Sequence, residues 1–297
     1  MKKRMTAQGK GLLYAFAGII ILSPDTLLVR LLDMEQWTMQ FYRGAGVLVG
    51  VCLIMAVFSR HGMVRSFTAI GRIGVLAGFC YAMASLLFVS SLYHTTVANT
   101  LAIISTAPVW SALMTRFFLK SSLPLRTWAA VVLSLIAIFI IVAGDIRTGR
   151  DNVTGDLLAL LQALFMAASL ILVRSRKEVN MIPCIGVGGL FICCTALLFT
   201  PSLEVESGSI SLLVLLVLVV IPASFALLTM APRYITAPEV NMIMLLEMLF
   251  GPLLVWMVVG ETVPATTIIG GTLLFTVLLV HSLLTLNNSR RVSRVSP

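Results

Sequence analysis

Seven stretches of this chain run for the length of a bilayer crossing without one Asp, Glu, Lys or Arg: Ile73–Leu92, Val97–Thr115, Thr127–Gly144, Leu157–Val173, Met181–Leu203, Ser207–Pro232 and Thr262–Leu286. A hydrocarbon core takes about 20 helical residues, so each is a candidate membrane helix. Three further apolar runs are interrupted by ionisable residues. Gly11–Leu32 holds Asp25 and Arg30, Trp37–Ser59 holds Arg43, and Val240–Gly260 holds Glu247. Together they predict an all-α integral membrane protein of ten transmembrane helices joined by short loops. Composition excludes the alternatives. Charged residues are 11% of the 297, apolar residues 59%, whereas soluble domains carry about 25% charged residues. A chain with 21 basic and 12 acidic side chains cannot build a water-facing surface of this size. A soluble enzyme, a disordered chain and a nucleic-acid binder working in water are thereby excluded.

Loop charge sets the expected orientation. With the N-terminus inside, seventeen of the 21 Lys and Arg fall on the cytoplasmic side, in the N-terminal tail, the even-numbered loops and the C-terminal tail. Only Arg30, Arg147 and Arg150 fall outside, and Arg43 lies within a span. Both termini are expected in the cytoplasm, and the net charge of +9 reads as a collar facing anionic lipid. The first run is too long for a signal peptide and lacks a small-residue cleavage site. Cys52, Cys80, Cys184, Cys193 and Cys194 all sit in apolar runs and read as small hydrophobes.

The chain also aligns with itself. A shift of 144 brings Leu27-Leu28-Val29-Arg30 onto Ile171-Leu172-Val173-Arg174. A shift of 140 brings Leu123-Pro124 onto Val263-Pro264, Pro108 onto Met248 and Ser121 onto Glu261, with Tyr93 and Tyr234 one residue apart. The expected units are residues 1–150 and 151–297, five helices each. Because five is odd, the halves point in opposite directions, an arrangement that places a substrate site near the midplane between repeats.

Phe41-Tyr42-Arg43, Ser91-Leu92-Tyr93 and Thr106-Ala107-Pro108-Val109-Trp110 resemble motifs of the first half of the EamA-type drug/metabolite transporters. Leu246-Glu247, Gly260-Glu261 and Gly270 resemble motifs of the second half. The resemblance covers nearly the whole chain. It implies a secondary active transporter that exports amino acids or related zwitterions by alternating access, with protons as candidate coupling ions and a bacterial inner membrane as its location. Three positions depart from the pattern. Met248 replaces the usual Pro, Ser121 stands where a first-half Glu is usual, and Ser23-Pro24-Asp25 replaces a Trp-Gly in the first helix.

Ionisable residues inside a bilayer cost about 2.5–3.5 kcal/mol each on insertion scales and face cavities or each other. Asp25 and Arg43 both lie roughly 10 Å below the outer edge of their spans, at a level where they can pair. Arg30 is about 140° round the helix from Asp25 and is expected to snorkel outward. Glu247, mid-span, is the deepest carboxylate, either a proton carrier and counter-charge or a structural partner. Glu261 is expected to cap the start of the tenth span. Tyr81, Ser85, Ser105, Trp110 and Gln162 recur at mid-depth and, with Asp25, Arg43 and Glu247, complete the candidate substrate site. Pro24, Pro108, Pro222 and Pro252 are candidate kinks. Gly46/Gly50 and Gly74/Gly78 have close-packing spacing.

No zinc-protease, prenyl-diphosphate or phosphate-loop motif is present, so no enzyme, cofactor, metal or ATP drive is expected. The expected partners are a small-molecule substrate, membrane lipid and protons, with monomer and homodimer both open. Organic cations, nucleosides and vitamins are the alternative cargoes, and an integral-membrane enzyme is the alternative class.

Overall fold

A chain this apolar has no water in the bilayer core to satisfy its backbone, so its N–H and C=O groups must pair within each segment. The computed structural model describes residues 7–58, 62–119, 125–147, 153–205, 207–235, 237–277 and 279–280, and among them there is no strand. The first half contains α1 (Ala7–Leu22), α2 (Asp25–Leu32), α3 (Gln36–Phe58), α4 (Met63–Ala69), α5 (Gly71–His94), α6 (Val97–Ile104), α7 (Ala107–Leu119) and α8 (Leu125–Arg147). The second half contains α9 (Val153–Ser175), α10 (Ile182–Leu197), α11 (Ile210–Val214), α12 (Ile221–Met230), α13 (Ala237–Val259) and α14 (Ala265–Val277). Five stretches are long and apolar enough to cross a membrane: Gln8–Leu32, Gln36–Val57, Gly71–His94, Val153–Ser175 and Ser207–Arg233. Shorter apolar helices lie at Val132–Ile141, Ile182–Leu197, Ile243–Val259 and Ala265–Val277. Ser121 lies outside the described residues.

Two of the long stretches, and the α6–α7 segment, are interrupted next to a proline. Pro24 has no N–H for the Ile20 carbonyl, and α1 ends there; the Ser23 hydroxyl donates to the Ile19 carbonyl (2.8 Å), and α2 resumes at Asp25. Pro108 likewise cannot serve the Ile104 carbonyl. The chain between α6 and α7 tightens, with Thr106 N–H donating to the Ile103 carbonyl at 3.1 Å. Ser105 and Thr106 hydroxyls donate back to Leu101 and Ile103 at 2.6 and 2.8 Å. Ahead of Pro222, residues Leu215–Val220 form a π-helical turn between α11 and α12. Pro252 is carried within α13 without ending it.

The main pairings are α5 with α9, α3 with α10, and α10 with α5. α1 packs on α12, α3 on the π turn and α12, α6 and α7 on α9, and α13 on α1, α2, α6 and α7. Glycines permit the closest of these. A Cβ on Gly44 of α3 would come within 2.8 Å of the Gly189 carbonyl oxygen of α10, and one on Gly189 within 2.7 Å of the Gly44 carbonyl oxygen. Gly46 and Gly50 lie against Val217 and Pro222 of the π turn and α12, and Gly78 against Val187 and Gly188 of α10.

Polarity is distributed inside out relative to a water-soluble domain. Phe139 (72% exposed), Leu198 (80%) and Trp256 (56%) are turned outward, while Asp25, Arg43, Asp156, Gln162, Asn99 and Glu247 are buried. An apolar exterior of this extent is what lipid contact selects.

Candidate functional site

The turn after α2 places the central charges. Asp33, with φ 41°, ends α2 in the left-handed region. Glu35 starts α3 by accepting the Thr38 N–H at 2.7 Å. Asp25 and Arg43 lie at similar distances on either side of this reversal, so the two helices bring them level. The result is a bidentate ion pair. Arg43 Nη1 donates to Asp25 Oδ1 and Nη2 to Oδ2, the second at 3.0 Å. Both side chains are 3% exposed. The Pro24 break puts Asp25 in the first turn of α2, where the helix dipole favours a carboxylate. On its other side the guanidinium sits over the ring of Phe88 on α5, 5.7 Å from its centroid.

Asp25, Arg43, Tyr81, Ser85, Gln162 and Glu247 line one cavity, closed by Phe88, Ile104, Met166, Phe225 and Met244. Its helices come from both halves of the chain: α2, α3 and α5 from the first, and α9, α12 and α13 from the second. Tyr81 and Phe225 meet edge to face, with centroids 4.9 Å apart. The space is about 40 Å³, room for a few waters and less than any metabolite needs. An adjoining cavity of about 30 Å³ is lined by Ser105, Pro108, Gln162 and Glu247, so Gln162 and Glu247 stand in the partition between the two.

Their hydrogen bonding is incomplete. Glu247, 7% exposed, has no hydrogen bond or ion pair among the described residues, and neither has the Gln162 Oε1. Arg43 Nε is a spare buried donor. Two carboxyl groups therefore share a cavity with one guanidinium, together with a free amide and a free donor. That set can hold an ammonium against Glu247 and the Gln162 Oε1, and a carboxylate against Arg43.

Seven of the eight residues singled out in the sequence line these two cavities. Trp110 does not. It sits one turn into α7, and its indole N–H donates to Thr106 Oγ1 at 3.2 Å, within its own helix. Two boundary residues also behave differently from expectation. Arg30 does not snorkel free: its Nε lies 3.1 Å from Glu261 Oε2, and its Nη2 donates to the Thr95 carbonyl at 3.1 Å. Glu261 does not cap α14. Its Oε1 accepts the Val97 N–H at the start of α6, at 2.9 Å. The carboxylate thus finds an unpaired helix N-terminus that the fold, not the sequence order, brings to it. Sequence reasoning also missed Phe88 and the buried chain Asp156–Thr95–Asn99–Thr267. There the Thr95 hydroxyl donates to Asp156 (3.2 Å), Asn99 Nδ2 to Thr95 Oγ1 (3.4 Å), and Thr267 Oγ1 to Asn99. Asp156 lies one residue outside an uncharged run, which is the only mark it leaves in the sequence.

Residues 9–143 match the model of the EamA-like transporter family, which belongs to the drug/metabolite transporter superfamily. No curated protein matches the chain. Among solved structures, a crystal structure described only as that of a protein aligns over 92% of this chain and 98% of its own, with a TM-score of 0.69 at 14% identity. That likeness shows a shared fold. The family match covers under half of the chain and is to a family of transporters, and the chain has five helices long and apolar enough to cross a membrane.

Proposed function

We propose, from the match of residues 9–143 to the EamA-like transporter family model, that the chain is a secondary transporter of small amino-bearing metabolites, amino acids first. It works by alternating access around the cavity of Asp25, Arg43, Gln162 and Glu247. The observation that carries this reading is the unpaired Glu247 beside the closed Asp25–Arg43 pair. A buried carboxylate with no partner is costly unless something fills the place. An ammonium group or a proton does; the Gln162 Oε1 can accept from the same ammonium, and the spare Arg43 Nε–H suits the carboxylate of the same zwitterion.

The architecture in this proposal is ten spans in two inverted repeats, residues 1–150 and 151–297, both termini cytoplasmic, in a bacterial inner membrane. The helix pairings support it. Exchange the halves, so that α1 and α2 stand for α9, α3 for α10, α5 for α12, and α6 and α7 for α13. The α5–α9 contact then becomes α12–α1, α5–α10 becomes α12–α3, and α3–α10 maps onto itself. A cavity too small for substrate fits a form closed at both ends, from which either face opens in turn. Export with proton exchange uses Glu247 as the proton carrier. The excess of carboxyl over guanidinium groups favours organic cations as the second cargo class.

The experiment is counterflow in proteoliposomes preloaded with pooled unlabelled amino acids, following labelled ones against protein-free vesicles. Saturable accumulation is expected. No accumulation by folded protein refutes the zwitterion reading and turns the assay to organic cations, nucleosides and vitamins. Chemical conversion of a solute in detergent would instead support a membrane enzyme.

A further inference from the structure

Each end of the bundle is closed by an arginine and a glycine, and the two sets stand at the same sequence offset. At one end, the last turn of α2 carries Arg30, which donates to the Thr95 carbonyl just past α5. At the other, the last turn of α9 carries Arg174, which donates to the Pro232 carbonyl just past α12. The shift of 144 that relates Arg30 to Arg174 also relates Gly11 to Gly155. A Cβ on Gly155 would come within 2.8 Å of the His94 carbonyl carbon and 2.7 Å of the Thr95 Cβ. One on Gly11 would come within 2.8 Å of the Tyr234 Cβ and 2.7 Å of the Ile235 Cγ2. The glycine backbone thus seats against the same turn whose carbonyl the arginine holds.

The two ends are completed differently, and at the Arg174 end Arg233 Nε also donates to the Lys177 carbonyl at 3.2 Å. At the Arg30 end an acid completes the clasp. Glu261, in the segment between α13 and α14, pairs with Arg30 through one oxygen and takes the Val97 N–H through the other. It thereby ties α2, the first turn of α6 and the second half of the chain into one knot. Behind it, Thr95 bonds Asp156 of α9 and Asn99 bonds Thr267 of α14. At the Arg174 end no acid pairs with the arginine among the described residues, and the sequence counterpart of Glu261 at an offset of 140 is Ser121.

We propose that Arg30–Glu261 is a gate holding its end shut more firmly than the other, so that the Arg174 end opens first and is the side on which substrate loads. The proposal rests on the alternating-access reading above. The population of each open form depends on what must be broken to reach it. Opening the Arg30 end breaks an ion pair and a helix cap in addition to the arginine–carbonyl bond that both ends share, against one further arginine–carbonyl bond, Arg233 to Lys177, at the Arg174 end. In the orientation expected from loop charge, loading is then from the cytoplasm.

The test uses full-length protein in sealed vesicles of known orientation, carrying Ser85→Cys in the cavity wall. A membrane-impermeant thiol reagent is applied from each face, and the adduct is read by mass spectrometry on the peptide containing residue 85. Labelling is expected to be faster from the Arg174 face. Adding Glu261→Gln is expected to raise the rate from the Arg30 face about fivefold, the scale of one partly exposed ion pair, and to lower it from the other. Arg30→Gln leaves the Glu261 bond to Val97 available and is expected to give the same shift. The exchange Arg30→Glu/Glu261→Arg is expected to return the ratio toward that of the parent. An unchanged ratio, an equal rise from both faces, or no labelling in any variant overturns the gate. Counterflow by the unaltered chain is read separately. Flux without a labelling shift rejects the gate alone, and a labelling shift without flux for any cargo class rejects the transporter reading and leaves the gate standing.

Discussion

Removing either member of the Asp25–Arg43 pair is destabilising, but the two removals are not equivalent, because Glu247 shares their cavity. Breaking a buried pair by deleting one partner costs about 3–5 kcal/mol when the other charge is left alone. Arg43→Gln removes the only guanidinium and leaves Asp25 and Glu247 facing each other, so the cost belongs in the full range of about 3–5 kcal/mol. Asp25→Asn leaves Arg43 with a carboxylate still in the cavity and with an amide oxygen to bond. Its cost is about half as large, roughly 2 kcal/mol. Asp25→Leu/Arg43→Met removes both charges and keeps the volume, and falls within about 1 kcal/mol of the parent. For a chain of this size the Arg43→Gln figure corresponds to a drop of about 5–8 °C in melting temperature. The assay is thermal unfolding of purified protein in one detergent, with each variant checked for a monodisperse elution profile. Asp25→Asn melting at or below Arg43→Gln would refute the role given to Glu247. A double variant as unstable as the two singles combined would refute the pair itself.

Three further outcomes are expected. Glu247→Gln removes a buried, unpaired carboxylate and should keep or raise the melting temperature while abolishing flux driven by a pH gradient; undiminished pH-driven flux would reject it as the proton carrier. Gln162→Leu should cost no stability, because its Oε1 has no partner to lose and an unsatisfied buried acceptor carries a penalty of about 1–3 kcal/mol. The same change should raise KM in counterflow at least about tenfold, the equivalent of one hydrogen bond to a charged group. Gly44→Ala and Gly189→Ala should each cost about 1–3 kcal/mol by overpacking backbone against backbone, whereas Gly208→Ala, with nothing within 4 Å of its Cβ, should melt within about 0.5 kcal/mol of the parent.

What was legible in the sequence follows from how local each feature is. Asp25 and Arg43 are separated by one tight reversal, so helix rise alone puts them level, and their pairing needed no knowledge of the rest of the fold. The breaks at Pro24 and Pro108 were legible because proline withdraws a specific N–H. The π turn at Leu215–Val220 was not, because its residues are uniformly apolar and carry no periodic mark of an extra residue per turn. Arg30 and Glu261 belong to opposite halves, and only the packing of α2 and α6 against the segment before α14 brings them together. A basic residue near a helix end reads locally as snorkelling, and an acidic residue before a helix reads locally as its cap. Trp110, placed in the candidate site by its depth, lines neither cavity for a related reason. Mid-span depth says how far a side chain is from water but not which way it points, and the hydroxyl of Thr106 one turn earlier already satisfies its N–H.

The seam between α3 and α10 sets the mechanics of any motion the molecule makes. Gly44 and Gly189 meet near the middle of their helices, with each backbone against the other. A contact with no side chains between the helices has nothing to compress or slide over, so it serves as a fulcrum. The arms on either side of it are about 15 Å long, roughly ten residues of helix at 1.5 Å each. A rotation of about 10° there moves the far ends by about 3 Å, comparable to the whole length of the contact between Arg30 and Glu261 (3.1 Å). Leverage of that size means that a small tilt at mid-depth is enough to spread the helices at one rim of the protein while pressing the opposite rim together.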